Sequence, residues 1–230
     1  MQLMIGSRLW AKQIFRVGIV LFLLGLGAQS GIDEPFGLPT VAMPANDRWW
    51  ATWKRLQSEI ESEKPIIARC RSEPDSCGSS AALRFIAIVN HGAPYEGVMR
   101  IKQINRAVNL TLRTKEQAVW TSPLTTLAAG EGDCKQHAVL KYAALADVGF
   151  ALDDLRLVVG STSPAAGHAV LTVRSAGRWF VLDNRSLDVV GTDTFADFQP
   201  LVAFDHRGVR QFVRSLMSEL SGSPCDGGAG

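Results

Sequence analysis

Several features that would assign a chain to a functional class at once are missing from this sequence of 230 residues. The formal charge is only +2, and no stripe of basic residues is interleaved with aromatic ones, which argues against a nucleic-acid partner. No internal repeat, heptad run or low-complexity segment is present. Zinc-ligand spacing is also missing, because Cys134 and His137 form a single Cys-x-x-His pair without a second one. What remains is a chain long enough for one domain with a sizeable core.

The N-terminal apolar run is too short for a transmembrane helix of ordinary length. Three basic residues precede twelve uncharged, mostly apolar residues, Val17 to Ala28, and a small-x-small pattern ends at Ser30. This order predicts a secretory signal peptide over residues 1–30. An uncleaved membrane anchor is the alternative. Removal of the three basic residues changes the formal charge from +2 to −1, so we expect an exported protein of nearly neutral charge.

Export makes the four cysteines informative. Cys70 and Cys77 bracket a short polar loop, and in an oxidising compartment such a pair is expected to form a disulfide. Cys225 lies in a Gly- and Ser-rich segment that is typical of a flexible tail. We therefore expect a Pro- and Gly-rich lead-in at 31–48, one domain at 49–220 and a tail at 221–230.

The order of secondary-structure patterns predicts an α+β fold, with helices first and an antiparallel sheet afterwards. Apolar spacing predicts a helix that begins near Trp49 and stops at Pro65, and three further helices, of which the last contains Cys134. Residues 120–132 are predicted to be a loop with at most a short turn. A strand, a hairpin with a turn at 175–177, an irregular segment with an edge strand and a final helix from Arg210 are predicted to follow.

Cys134 has the setting of a reactive cysteine. Asp133 is a good N-cap, so Cys134 falls in the first turn of its helix, where backbone N–H groups and the helix dipole favour the thiolate. A buried structural thiol is the alternative reading.

A nucleophilic cysteine also needs a base that is oriented by a carboxylate or an amide. His168 opens one strand of the hairpin, and Asp183 lies near the end of the other. A register that pairs 170 with 181 would place both side chains on one face, whereas a shift by one residue would separate them. His137, one helical turn after Cys134, is the rival base.

Five stretches carry a resemblance to a known family. They are the segments 120–124, 132–142, 153–158, 168–173 and 177–184, which read WTSPL, GDCKQHAVLKY, DDLRLV, HAVLTV and GRWFVLDN. Together they resemble the bacterial transglutaminase-like cysteine proteinases, which include the LapG-type periplasmic adhesin proteases. The resemblance implies a papain/transglutaminase-like core in which a helix that bears the nucleophile packs on an antiparallel sheet. It also implies a triad of Cys134, His168 and Asp183.

The resemblance further implies a periplasmic cysteine endopeptidase whose substrate is a surface adhesin, with an inner-membrane signalling receptor as a partner. The Cys134 backbone N–H is expected to be one oxyanion donor, and Trp120 is a candidate for the second. Resolution of the same thioester by an amine would instead make the protein an acyltransferase, and a non-catalytic binding module is a third reading.

One motif departs from the family pattern. LapG-type members bind calcium through an aspartate before the nucleophile and acidic residues after it. Here Asp133 is followed, beyond the cysteine, by Lys135 and Gln136. Calcium needs several oxygen ligands, and an ammonium group repels it. We therefore expect no cofactor, and an ion pair between Asp133 and Lys135 in place of the metal.

Overall fold

The computed structural model describes residues 33–163 and 166–213, so the predicted signal peptide and the tail at 221–230 lie outside the described residues. The helices of the described part are α1 (Arg48–Ser72), α2 (Ser80–Gly92), α3 (Gly97–Thr111), α4 (Pro123–Ala129) and α5 (Cys134–Asp147). The strands are β1 (Thr40–Ala42), β2 (Arg113–Thr114), β3 (Glu131–Gly132), β4 (Leu155–Ser163), β5 (Ala166–Ser175), β6 (Arg178–Leu182), β7 (Val190–Gly191), β8 (Gln199–Asp205) and β9 (Gly208–Phe212). None of the helices in these ranges has the length and apolar character needed to cross a membrane.

Seven strands form one antiparallel sheet in the order β1-β9-β8-β4-β5-β6-β7, and β2 pairs with β3 separately. Helix α5 packs on the central strands β4 and β5 and is enclosed by α2, α3 and α4. Every residue of α5 from Cys134 to Leu145 is buried, polar ones included. The predicted α+β class, with a helix that begins at Cys134 on an antiparallel sheet, is confirmed.

The other face of the sheet is covered by the chain itself. Val158, Val170 and Val181 form a second apolar cluster on this face, and Phe36 and Leu38 of the lead-in pack against it. Strand β1 of the lead-in also pairs with β9 at the sheet edge. The lead-in that the sequence suggested as a simple extended segment is therefore part of the folded structure.

Helix α1 does not stop at Pro65, and that prediction is wrong. The helix continues through Pro65 to Ser72. A proline inside a helix costs about 3 kcal/mol because it removes a hydrogen bond and crowds the preceding turn. Ile67 and Cys70 follow at helical spacing and are both buried, so their packing offsets this cost.

The segment 120–132 contains a complete helix, α4, where only a short turn was predicted. Its N-terminus is capped from a distant part of the chain. The carboxylate of Glu63 on α1 accepts hydrogen bonds from the Ser122 hydroxyl and from the Leu124 N–H. A cap that is supplied by a residue 61 positions earlier leaves no local sequence signal.

The C-terminal part of the sheet also differs from the prediction. Strand β8 is an interior strand between β4 and β9 rather than an edge strand. Residues 210–212, which were predicted to begin a helix, belong to strand β9, which pairs with both β8 and β1. The remainder of that predicted helix lies outside the described residues.

The β5–β6 hairpin has a tighter turn than expected. Ser175 pairs with Arg178, so the turn consists of Ala176 and Gly177, whose φ values of 50° and 73° are typical of a two-residue hairpin turn. Thr172 rather than residue 170 therefore lies opposite Val181. The register differs from the predicted one by two residues, which preserves the face of every side chain because strands have a period of two.

Candidate active site

The N-terminus of α5 is fixed by a reciprocal cap. Asp133 accepts a hydrogen bond from the Lys135 N–H at 2.9 Å, and the Gln136 side chain accepts one from the Asp133 N–H at 3.2 Å. The Gln136 amide also donates to the Val119 carbonyl at 2.7 Å. These contacts hold the first turn of α5, and therefore Cys134, against the loop that precedes α4.

A buried ion pair lies beside Cys134. Lys135 Nζ is 2.8 Å from Asp133 Oδ2, and the two side chains are only 5% and 8% exposed. The same carboxylate oxygen accepts the Gln117 N–H at 2.9 Å. The ammonium group therefore neutralises the carboxylate at the helix cap, as the sequence suggested.

His168 and Asp183 are brought together at the end of the hairpin. His168 Nε2 lies 3.0 Å from Asp183 Oδ1, and both side chains are buried. The backbone N–H of Ala169, the next residue, donates to Cys134 Sγ at 3.3 Å. Strand β5 thus passes beside the sulfur at the residue that follows His168, and the ring contact to Asp183 is made by Nε2 rather than Nδ1.

Asp183 is held in its ionised form. Burial opposes ionisation, but hydrogen bonds from His168 and from Arg185 outweigh burial and keep the pKa of Asp183 well below its usual range. Arg185 contributes its backbone N–H at 2.9 Å and its guanidinium, which donates to Oδ2 at 2.8 Å. A permanently charged carboxylate in this position can fix the imidazole tautomer and stabilise an imidazolium.

His137, the rival base, is buried in the helix. Its Nδ1 contacts the Asp133 carbonyl at 2.9 Å. Burial lowers the pKa of His137 to about 4, although the hydrogen bond to Asp133 opposes this shift. A ring that is neutral at physiological pH and bonded within its own helix is suited to packing.

The other site residues predicted from the sequence are Trp120 and the pair Cys70 and Cys77. The Trp120 ring packs in the core 5.7 Å from the Phe204 ring, and its carbonyl accepts a hydrogen bond from Arg55. Its role as an oxyanion donor stays a prediction. Cys70 and Cys77 are joined by a disulfide that closes the loop after α1.

Three residues at the site were not singled out from the sequence. Arg185 was close to Asp183 in the chain and could have been found as an adjacent cation. Lys141 lies two helical turns after Cys134, and burial lowers its pKa to about 7 while the charge of Asp183 opposes that shift. Asn109 of α3 donates to the Asp183 carbonyl from 74 residues away, so no local pattern indicated it.

Within the described ranges, no group of three or more His, Cys, Asp or Glu side chains could hold a metal ion. The Asp133 carboxylate is occupied on both oxygens by N–H donors and the Lys135 ammonium. The residues around Asp133 therefore do not fit a hard dication, which needs six to eight oxygen ligands when it is calcium.

Comparison with solved structures identifies the fold. LapG from Legionella pneumophila matches with a TM-score of 0.54 and 19% sequence identity, over 67% of this chain and 90% of that chain. A calcium-bound form of the same protein matches with a TM-score of 0.55 and 19% identity, over 70% of this chain and 93% of that chain. No curated protein sequence matches the chain.

The comparison with family models identifies the chemistry. Residues 62–197, more than half of the chain, match the model for the bacterial transglutaminase-like cysteine proteinases. This range includes helix α5, which begins at Cys134, and the whole β5–β6 hairpin. The chain therefore belongs to the bacterial transglutaminase-like cysteine proteinases and is a cysteine peptidase.

Proposed function

We propose that Cys134, His168 and Asp183 form the catalytic triad of this peptidase. The proposal depends on one arrangement: the strand that carries His168 donates a backbone hydrogen bond to Cys134 Sγ, while the His168 ring contacts the ionised Asp183. In this mechanism the Cys134 thiolate attacks a peptide carbonyl to form a tetrahedral intermediate. Its oxyanion is stabilised by the Cys134 backbone N–H in the first turn of α5.

Breakdown of the intermediate then requires a proton. His168 donates it to the leaving amine, which departs as the new N-terminus and leaves a thioester on Cys134. The neutral imidazole next removes a proton from water, the hydroxide attacks the thioester, and the acid product leaves as the Cys134 thiolate and the His168 imidazolium are restored. Asp183 stabilises the imidazolium in both half-reactions.

The substrate that we propose is a protein at the cell surface or in the periplasm, such as an adhesin. The family supports a protein substrate, and the sequence pattern over residues 1–30 supports export to the periplasm. A disulfide between Cys70 and Cys77 suits an oxidising compartment. An inner-membrane signalling receptor that sequesters the enzyme is proposed from the family resemblance alone.

The test compares the wild type with Cys134→Ala on outer-surface proteins of the producing cells. Both are incubated with the proteins and a thiol reductant, and new N-termini are identified by labelling and mass spectrometry. New N-termini that appear with the wild type and not with Cys134→Ala would support the proposal. If folded wild-type protein produced no new N-termini, the proposal would be contradicted.

The acyltransferase alternative is separated in the same experiment. An added primary amine competes with water for the thioester in an acyltransferase, so a labelled amine would be incorporated at the cleaved or modified glutamine site. We expect hydrolysis alone.

For localisation, a fusion of residues 1–40 to a reporter that is active only outside the cytoplasm should be active.

We further propose that activity does not require calcium. The calcium-bound LapG structure shows that a protein of this fold takes the ion. In this chain, however, Lys135 Nζ occupies the carboxylate of Asp133, and Gln136 bonds the backbone rather than offering a carboxylate. The positive charge that a calcium ion would place beside Asp133 is supplied here by the Lys135 ammonium group.

A further inference from the structure

Helix α3 makes a set of contacts with the turn that carries Asp183. This turn, residues 183–187, follows strand β6 and will be called the Asp183 turn. Asn109 Nδ2 donates to the Asp183 carbonyl and to the Ser186 carbonyl, both at 2.8 Å. Asn105 Nδ2 donates to the Ser186 carbonyl at 3.0 Å and to the Leu187 carbonyl at 3.2 Å.

The spacing of the two asparagines explains why they act together. Positions 105 and 109 lie one helical turn apart on the same face of α3. Each amide nitrogen has two hydrogens, and each finds two carbonyl acceptors in the turn. The four carbonyl contacts fix the amide orientation, because a rotated amide would place its oxygen against carbonyl oxygens.

The arrangement carries a cost in stability. The amide oxygens of Asn105 and Asn109 are buried and have no hydrogen-bond partner within the described residues. A buried unpaired acceptor destabilises the folded state. Apolar residues at 105 and 109 would remove the unpaired oxygens but would also take these donors from the Asp183, Ser186 and Leu187 carbonyls, so the asparagines hold the turn at the cost of two unpaired acceptors.

We propose that Asn105 and Asn109 are positioning residues that act on the reaction through Asp183, by fixing the backbone of the Asp183 turn from α3. The proposal rests on the proposed function, in which Asp183 orients His168. Arg185 holds the carboxylate and the asparagines hold the backbone, so the acceptor for His168 Nε2 is determined from two sides.

Loss of the contacts from Asn105 and Asn109 should affect the chemical step of the reaction. The asparagine amides donate to carbonyls of the Asp183 turn, whereas His168 contacts the Asp183 carboxylate, so we expect the loss of the amides to act on the orientation of Asp183 rather than on substrate binding. Release of the turn shifts the carboxylate relative to the imidazole, and a displacement of about 1 Å in such a site costs about 100-fold in rate. The loss is therefore expected in kcat and not in KM.

The principal variant is Asn109→Leu, which keeps the side-chain size and removes both donors. Asn109→Ala is the second variant, which guards against strain from the leucine. Arg106→Ala is the matched control, because Arg106 is exposed on the same helix. The substrate is a fluorogenic peptide built on the first cleavage site that wild-type protein produces in outer-surface proteins.

We expect both Asn109 variants to lower kcat by about 10- to 100-fold with KM changed by less than about twofold. Arg106→Ala should behave as wild type. The NMR signals of ¹⁵N-labelled imidazoles should show a loss of the Nε2–H tautomer of His168 in the Asn109 variants. A role limited to stability would leave that tautomer population unchanged.

A double-mutant cycle with Asp183→Asn measures whether Asn109 and Asp183 act together. If Asn109 acts through Asp183, Asn109→Leu should have little further effect in the Asp183→Asn protein. Equal fold losses in the two backgrounds, or unchanged kcat and His168 signals in both Asn109 variants, would overturn the inference. Full activity of Asp183→Asn itself would instead overturn the proposed triad, so the two failures are distinguishable.

Discussion

Replacement of Lys135 by methionine should destabilise the protein markedly. The change removes the ammonium that lies 2.8 Å from Asp133 Oδ2 and leaves a carboxylate that is only 8% exposed. Loss of one partner of a buried pair costs about 3–5 kcal/mol. Because the N–H groups of Lys135 and Gln117 still bond Asp133, we expect the lower end, about 3 kcal/mol. For a domain of this size that corresponds to a fall in Tm of roughly 6–12 °C.

The assay is thermal unfolding followed by circular dichroism, with a matched exposed pair as control. Lys64 and Glu61 form an ion pair at 2.6 Å whose side chains are 61% and 65% exposed. Lys64→Met should therefore change the free energy of unfolding by no more than about 1 kcal/mol. If Lys135→Met changed Tm as little as Lys64→Met does, the reasoning about the buried pair would be refuted.

The same pair predicts the response to calcium. EGTA should leave the activity and Tm of the wild type unchanged, since Lys135 already neutralises Asp133. In Lys135→Glu the ammonium is replaced by a carboxylate, so calcium should raise Tm. When the ion is at 100 times its Kd, the free energy of unfolding should rise by about 2.7 kcal/mol. A fall in wild-type activity under EGTA that calcium restores would contradict metal independence.

The remaining predictions concern individual residues. Cys134→Ala should abolish peptide cleavage with little change in Tm, and Asp183→Asn should lower kcat by about 10⁴-fold because the charge that holds the imidazolium is lost. His168→Phe should abolish cleavage in the same assay while His137→Phe retains it, and the reverse result would exchange their roles. Lys141 has a pKa lowered to about 7 in the folded state, so the unfolded chain binds more protons between pH 7 and about 10 and stability should rise with pH there. Urea unfolding of Lys141→Met across this range should lack that rise.

The structure brings together the residues that the sequence singled out for the candidate site, whereas several elements around them were predicted wrongly. Asp133 is a strong cap, and the contacts that place Cys134 in the first turn of α5 are local, so they could be read from neighbouring residues. His168 and Asp183 kept a common face although the hairpin register was wrong, because the error was two residues rather than one.

The errors have a shared physical origin in contacts between distant segments. Helix α4 depends on Glu63, the continuation of α1 past Pro65 depends on buried Ile67 and Cys70, and β9 depends on pairing with β1 of the lead-in. Local propensity is overridden by tertiary packing in each case. Such contacts leave no pattern in a short window of sequence.

The first turn of α5 is unusual because its polar side chains are all buried. Lys135, Gln136 and His137 occupy positions where a helix chosen for stability alone would carry apolar residues. Each of them is bonded to Asp133, through its carboxylate, its N–H or its carbonyl. The cost of burial is thus offset locally by bonds to one residue, Asp133, which accepts from Lys135, donates to Gln136 and contacts the His137 ring through its carbonyl. Since Asp133 directly precedes Cys134, this set of bonds helps to determine where the Cys134 sulfur lies relative to strand β5.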